Sequence, residues 1–134
     1  PDVAFDFRLQ RIESLLETIK CNSPLRQEVD LSGCNFSFAD LSNANLQQAF
    51  LHNAELSSAD LSNAEAQNLV LESAHLHGAN ISNANLSYAE LSNADLANAD
   101  LSSAKIRNAS LINSRIDGAN FTGADMTDCR GCPQ

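Results

Sequence analysis

The sequence has few of the large side chains from which globular cores are commonly built. It contains no tryptophan, one tyrosine and six phenylalanines in 134 residues, although 43% of the residues are hydrophobic. We therefore expect a core of small aliphatic side chains. No apolar run approaches the ~20 residues that a membrane-spanning helix needs, so we predict no membrane span. No signal peptide is recognisable, and the chain begins at Pro1, as a chain does once a leader has been removed.

Basic residues are also scarce. The chain has 17 Asp and Glu against 8 Lys and Arg, a formal charge of −9, and no Lys or Arg between Asp30 and Ala104. Nucleic acid and anionic lipid would repel such a chain, so we predict no direct nucleic acid binding. The acidic residues of this stretch are Asp30, Asp40, Glu55, Asp60, Glu65, Glu72, Glu90, Asp95 and Asp100.

A five-residue repeat runs through most of the chain. From residue 31 onward every fifth residue is usually Leu, as at Leu91, Leu96 and Leu101. Twenty such units follow one another without an insertion. The residue two positions earlier is usually Ala, as at Ala94. A step of five residues turns an α-helix by about 140°, so the Leu residues would form no stripe. In a straight strand the same step would place alternate Leu residues on opposite faces.

Short extended segments joined by tight turns account for the repeat. An Ala and a Leu two positions apart share one side of an extended segment. The residue two after the Leu is Gly or Asn in 13 of the 20 units, and both tolerate the positive φ of a type II turn. We predict an all-β solenoid with two inward residues in every five. Ala66 and Leu69 exchange the large and small positions, which we interpret as volume compensation.

The pattern A(D/N)LXX resembles that of the pentapeptide repeat family, over about 100 of the 134 residues. The resemblance implies a right-handed quadrilateral β-helix with four pentapeptides per coil, hence about five coils, stacked about 4.8 Å apart. We assign residues 1–28 to an N-terminal capping helix and linker, 29–130 to the β-helix and 131–134 to a C-terminal tail. The family is abundant in cyanobacteria, with some members in the thylakoid lumen or periplasm, and most have no assigned biochemistry.

The N-terminal residues follow a helical pattern, with apolar residues spaced by four and three: Phe5, Leu9, Ile12, Leu16 and Ile19. Asp2 or Asp6 could cap this amphipathic helix, and Pro24 prevents its continuation. The first coil of a solenoid exposes apolar side chains and strand edges, so we expect the helix to cover that end. Binding of the helix to a membrane surface is less favoured because its polar side carries both charges.

The four cysteines form two local pairs. Cys34 and Cys129 are 19 units apart, so one tetrahedral metal site cannot gather all four. Cys21 follows the helix and Cys34 is an inward residue of the first coil, so a disulfide could join cap and solenoid. Cys129 and Cys132 form a CxxC tail, a weak signal for redox chemistry or a metal. We favour a disulfide and an oxidising compartment, the thylakoid lumen or periplasm, over reduced thiols in the cytoplasm.

No arrangement of residues indicates catalysis or a cofactor. A filled solenoid offers no cleft for a catalytic group, so we predict that the chain is not an enzyme and binds no cofactor. His75 and His77 flank Leu76, with Glu55 and Asp95 stacked on either side of His75. A transition metal could be held there, but we favour surface histidines beside carboxylates, and predict no metal.

The outward residues predict docking surfaces for an unknown protein partner. Asp40, Asp60 and Asp100 share one column with two Asn residues, and exposed Phe50 and Val70 stack one coil apart. The chain is therefore interpreted as a structural or protein-interaction module, with an end-to-end dimer through the C-terminal coil as a candidate assembly.

An alternative function is a DNA mimic that binds DNA gyrase, as the quinolone-resistance members of the family do. The acidic charge per unit length approaches that of duplex DNA, which favours this alternative. Those proteins favour Phe at the central position of the repeat, which only Phe36 and Phe121 supply here.

Overall fold

The computed structural model describes residues 3–133, with side chains from Arg8 onward. The described residues contain one α-helix, α1 (Val3–Cys21), and a stack of parallel β-bridges between residues 30 and 130. Asp2 and the side chain of Asp6, the two predicted caps of the helix, lie outside the described residues. No helix among residues 3–133 combines the length and the apolar composition that crossing a membrane requires.

The β-structure consists of isolated parallel bridges, each joining residues 20 positions apart. The first joins Asp30 to Phe50 and the last joins Ser110 to Arg130, with one bridging residue in every five between them. One turn of the chain therefore takes four of the five-residue units. Each side of the turn contributes only one bridging residue. The described chain therefore has no strand longer than a single bridge.

Backbone hydrogen bonds connect each turn to the next and close each corner. The Leu91 amide donates to the Ser110 carbonyl of the following turn at 2.8 Å, and the Asp95 amide donates to the Ala74 carbonyl of the preceding turn at 3.0 Å. At the corner the Ala94 amide donates back to the Leu91 carbonyl at 3.1 Å. The stack thus satisfies the backbone polar groups of an interior that water does not reach.

The corner residues confirm the turn position predicted from Gly and Asn. Asn93 has a φ of 63° and Gly78 a φ of 68°, at the third position of a type II turn. The same conformation occurs where the sequence has large side chains, since Phe38 and Tyr88 also have a φ of 63°. The stacking register imposes the corner even where the residue disfavours it.

The core is a column of aliphatic side chains inside the turns. Leu91, Leu96 and Leu101 have no exposed surface. Ala66 and Leu69, at the exchanged positions, are 1% and 0% exposed, so both side chains point inward as volume compensation requires. The inward residues of the final turn are only half-buried: Ile116, Phe121 and Met126.

The predicted helix is present, but its apolar side does not cover the first turn. Its large aliphatic residues are 42–67% exposed: Leu9, Ile12, Leu15, Leu16 and Ile19. Its polar residues Ser14, Glu17 and Thr18 line the cleft against the first turn instead. Leu31 of the first turn is fully buried. The expected capping contact is therefore not formed by these residues.

Candidate interaction surface

One face of the β-helix carries a continuous column of Asp and Asn beside a column of Ser and Thr. We call it the Asp/Ser face. Parallel bridges connect the first column in order: Asp40, Asp60, Asn80, Asp100 and Asn120. The second column lies two residues further along each unit: Ser42, Ser62, Ser82, Ser102 and Thr122. The predicted alignment of Asp40, Asp60 and Asp100 is present in this register.

The Asp and Asn side chains of this face also hold the backbone of each unit. The Ser42 amide donates to Asp40 Oδ1 at 3.0 Å, and the Ser102 amide donates to Asp100 Oδ1 at 2.9 Å. The Ser82 hydroxyl donates to Asn80 Oδ1 at 2.7 Å. These Asx-type bonds explain why the repeat favours Asp or Asn at this position.

The carboxylates of the Asp/Ser face lack basic neighbours among the described residues. Hydrogen bonds from the Ser42 hydroxyl and amide lower the pKa of Asp40, and those from Ser102 lower the pKa of Asp100. The ion pairs of the described residues lie elsewhere: Lys20–Glu17, His75–Glu55, Arg107–Asp125 and Arg115–Asp117. The face therefore presents negative charge that no side chain of the described chain neutralises at contact distance.

The predicted apolar contact residues lie on a different face. Phe50 bridges to Val70, which confirms that they stack on consecutive turns. Phe50 is 43% exposed, but Val70 is half-buried, so the prediction that both are exposed is wrong for Val70. Their column is two units from the Asp/Ser face in a four-unit turn, so the two surfaces lie on opposite sides. Asp30 and Glu90 continue the apolar column at either end. The five predicted contact residues thus form two separate surfaces.

Both local cysteine pairs are joined as disulfides. The Cα atoms of Cys21 and Cys34 are 5.6 Å apart, and those of Cys129 and Cys132 are 5.8 Å apart. No cysteine of the described chain is free. Beside the first disulfide the Lys20 ammonium donates to the Ser32 carbonyl at 2.6 Å. These two contacts fix the C-terminal end of α1 to the first turn.

Only one group of three potential metal ligands occurs among the described residues: Glu17, Cys21 and Cys34. Both sulfurs belong to the disulfide, so neither is available as a thiolate ligand. His75 Nε2 lies 3.6 Å from Glu55 Oε1, and these residues form an ion pair when the histidine is protonated. The pair joins no third ligand within the described chain.

The Ser and Thr column was not identified from the sequence as part of the surface. A signal was present, because the residue after the central aliphatic is Ser or Thr in every fourth unit from residue 41 onward. It becomes visible when the sequence is written in turns of 20 residues, the register that the family resemblance implied and the bridges establish.

Comparison with known proteins identifies the repeat. The family described as "Pentapeptide repeats (8 copies)" matches residues 34–72, 54–96 and 94–130, most of the chain. No curated protein sequence is a significant match.

Solved structures of several repeat proteins are similar to this chain. HetL, a pentapeptide repeat protein involved in heterocyst differentiation regulation in the cyanobacterium Nostoc sp. strain PCC 7120, is 33% identical, with a TM-score of 0.57. The match covers 80% of this chain and 54% of HetL, so the chain spans about half the length of that relative. A pentapeptide repeat protein from the Arabidopsis thaliana thylakoid lumen is 31% identical, with a TM-score of 0.47. The match covers 82% of this chain and 71% of the Arabidopsis chain.

A third structure is that of QnrB1, a plasmid-mediated fluoroquinolone resistance protein. It is 19% identical, with a TM-score of 0.47, and the match covers 78% of this chain and 64% of the QnrB1 chain. The family match, together with the five-residue repeat stacked in turns of 20, shows that this chain belongs to the pentapeptide repeat family, whose members are right-handed β-helices.

Proposed function

We propose that the chain is a non-enzymatic protein-interaction module whose Asp/Ser face binds a basic surface of a partner protein. The observation that carries this proposal is the column of Asp40, Asp60 and Asp100, which forms no ion pair with a basic side chain of the described chain. Negative charge on a rigid face attracts an oppositely charged surface and orients it during association. The neighbouring hydroxyl groups supply hydrogen bonds once the surfaces meet.

The packing of the interior supports a role without catalysis. The inward positions hold Leu and Ala at close to zero exposure, so the polar groups lie on the outer faces. Each side of a turn contributes one bridging residue. The outward polar groups of successive turns therefore lie next to one another and face solvent. An outer face of this kind suits recognition of a surface more than enclosure of a small substrate.

The likeness to HetL supports a regulatory role. HetL is involved in heterocyst differentiation regulation, and it shares a third of its matched residues with this chain. Regulation by contact with another protein requires no catalytic group, which agrees with the packing of the interior. We therefore infer that the partner of the Asp/Ser face is a protein whose activity changes on binding.

A pull-down from native extract tests the proposal when it compares the unaltered chain with variants in which acidic residues are replaced by uncharged amides. We expect the triple variant Asp40→Asn, Asp60→Asn, Asp100→Asn to lose a partner that the unaltered chain retains. Asn keeps the acceptor for the turn amide, as Asn80 and Asn120 do. Retention of every partner by the triple variant would refute the role of this face.

The matched control removes the same number of charges from the other faces. Glu55→Gln, Glu65→Gln and Glu72→Gln together give the same net charge, and we expect this variant to keep the partner. Loss of the partner in both variants would show that total charge, and not the Asp/Ser face, determines binding.

The second candidate function is DNA mimicry toward DNA gyrase. It is supported by the nine acidic residues and the absence of Lys and Arg between Asp30 and Ala104. The register distributes these acids over all four faces, at most three on one, which makes each face less charged than duplex DNA. A gyrase supercoiling assay decides: no inhibition at micromolar protein removes this candidate.

We further propose an oxidising compartment, the thylakoid lumen or periplasm. The proposal is supported by the two disulfides, which persist in such compartments and are reduced in most cytoplasms. Thiol titration of denatured protein, isolated from its source without reductant, should detect no free thiol. Four free thiols would instead favour the cytoplasm.

An end-to-end dimer through the C-terminal coil is also retained as a proposal. It is supported by the half-buried inward residues Ile116, Phe121 and Met126 of the final turn. Their side chains are apolar and only partly covered.

A further inference from the structure

The apolar side of α1 faces away from the β-helix. We call Leu9, Ile12, Leu15, Leu16 and Ile19 the α1 stripe; its exposure ranges from 42% at Leu9 to 67% at Ile19. The opposite side of the helix, with Ser14, Glu17 and Thr18, lines the cleft of about 400 Å³ against the first turn. Five neighbouring large aliphatic side chains therefore point into solvent from one side of a single helix, a patch that calls for a binding partner.

The junction between α1 and the β-helix keeps this orientation. The disulfide joins Cys21, the last residue of α1, to Cys34 in the first turn, and Lys20 donates to the Ser32 carbonyl at 2.6 Å. The stripe residue with the highest exposure, Ile19, lies next to this anchored end. Turning the stripe onto the β-helix would require rotation of α1 against both contacts, so the stripe needs an occupant from outside the chain.

The spacing of the stripe is that of a coiled-coil seam. Leu9 and Leu16 occupy the a positions of two consecutive heptads, and Ile12 and Ile19 occupy the d positions. Leu at a with Ile at d shifts the preference from two parallel strands to three or four. Leu15 lies at a g position beside the seam and widens the apolar surface. A bundle of several helices can bury a surface of this width.

The charges beside the seam match another copy of the same helix. Arg8 occupies a g position and Glu13 the following e position. In a parallel bundle in register, g of one helix lies against the following e of its neighbour, so Arg8 would meet Glu13 of the next copy. The next contact between a g and an e position would place the aliphatic part of the Lys20 side chain against Leu15 of the neighbouring helix. The charge pattern thus favours a parallel arrangement of identical helices.

We propose that α1 is a self-association helix that joins three or four copies of the chain in a parallel bundle. The bundle buries the α1 stripes at its centre, and the β-helices extend outward from the polar side of each helix. The inference goes beyond the proposed interaction module and does not rest on it, because the Asp/Ser face is not part of the contact.

The test is the mass of the full, disulfide-bonded chain, measured by light scattering and sedimentation from about 1 to 500 μM. We expect three or four times the 14.4 kDa chain mass at high concentration, with dissociation on dilution because two heptads bind weakly. Ile12→Lys with Leu16→Lys should abolish the trimer or tetramer and leave a monomer or, where the C-terminal coils pair, an end-to-end dimer. Its β-helix should unfold as before, since the stripe does not contact it. The control Ile112→Lys changes an aliphatic residue of the β-helix that is 41% exposed, and should leave the mass unchanged.

Charge exchange tests the parallel register without altering the stripe. Arg8→Glu and Glu13→Arg should each weaken association about ten-fold, because attraction between neighbours becomes repulsion. The double variant should restore association. Failure of the double variant to restore it would refute the parallel register.

Three outcomes would overturn the proposal. They are a monomer at all concentrations, including one that binds anionic vesicles through the stripe; a trimer or tetramer that persists in the Ile12→Lys, Leu16→Lys variant; and the absence of any assembly larger than a dimer, which would contradict the three- or four-stranded bundle.

Discussion

The β-helix and α1 place their leucines in opposite environments. Leu96 has no exposed surface, whereas Leu16 is 60% exposed. In the β-helix Leu96 has a turn above and a turn below it, so stacking removes it from water. In α1 no other element of residues 3–133 covers the stripe. The comparison shows that the repeat period, and not the hydrophobicity of a residue, decides which leucines this chain buries by itself.

The largest difference should appear when one leucine is shortened in each region. We expect Leu96→Ala to lower the free energy of unfolding by about 2–5 kcal/mol, because it removes buried surface and leaves a cavity. Leu16→Ala should change it by less than about 0.5 kcal/mol, since the side chain is already in water. Chemical denaturation of dilute protein measures both. Equal effects would show that α1 packs on the β-helix in solution.

The covalent junction between the two regions should have the next largest effect. Replacing Cys21 and Cys34 by Ala should cost about 3 kcal/mol, since the disulfide closes a loop across 13 residues of sequence. The matched variant lacking Cys129 and Cys132 should lose less, because that loop spans only 3 residues. Thermal unfolding without reductant compares them. A larger loss in the second variant would contradict this ordering.

Glycine substitution should have opposite signs in the two regions. Tyr88 has a φ of 63° and is 61% exposed, so Tyr88→Gly should raise the free energy of unfolding by about 1 kcal/mol. Gln10→Gly within α1 should lower the stability of the helix by about 1 kcal/mol. Denaturation measures the first and the helical circular dichroism signal the second. Destabilisation by Tyr88→Gly would mean that the Tyr88 ring makes contacts worth more than the corner strain.

The smallest expected effect concerns pH and is confined to the β-helix. The pKa values of Asp40 and Asp100 are lowered in the fold by hydrogen bonds from Ser42 and Ser102. The folded state therefore holds these protons less tightly than the unfolded state does, and stability falls as pH drops below about 4. In Asp40→Asn with Asp100→Asn this decline should be shallower. Thermal unfolding between pH 7 and pH 2 tests it, and an identical slope would contradict the assignment.

The sequence predicted the parts of the fold that repeat. Alternation of Ala and Leu identified the buried column, and Gly or Asn identified the corner, because each depends only on residues within one unit. Corners at Phe38 and Tyr88 carried no such local signal. There the neighbouring turns impose the conformation through hydrogen bonds to residues about 20 positions away.

The parts that depend on contacts between elements were less accessible. The α1 stripe is evident from spacing, but its direction is set by the position of Cys21 relative to Cys34, which a helical pattern does not reveal. The candidate surface was predicted as one group, yet Asp60 and Phe50 lie on opposite sides. The family resemblance implied four units per coil, and the bridges establish that register, which places Asp60 and Phe50 two units apart on opposite faces.

The fixed bridge register constrains how such a chain can change in length. Inserting one residue within the stack would move every later Leu from the interior to a corner or an outer face. A whole unit of five would keep the interior filled but shift each later column to the next face. Only a gain or loss of 20 residues preserves both, so the outer pattern can be elongated by complete turns while its cross-section stays the same.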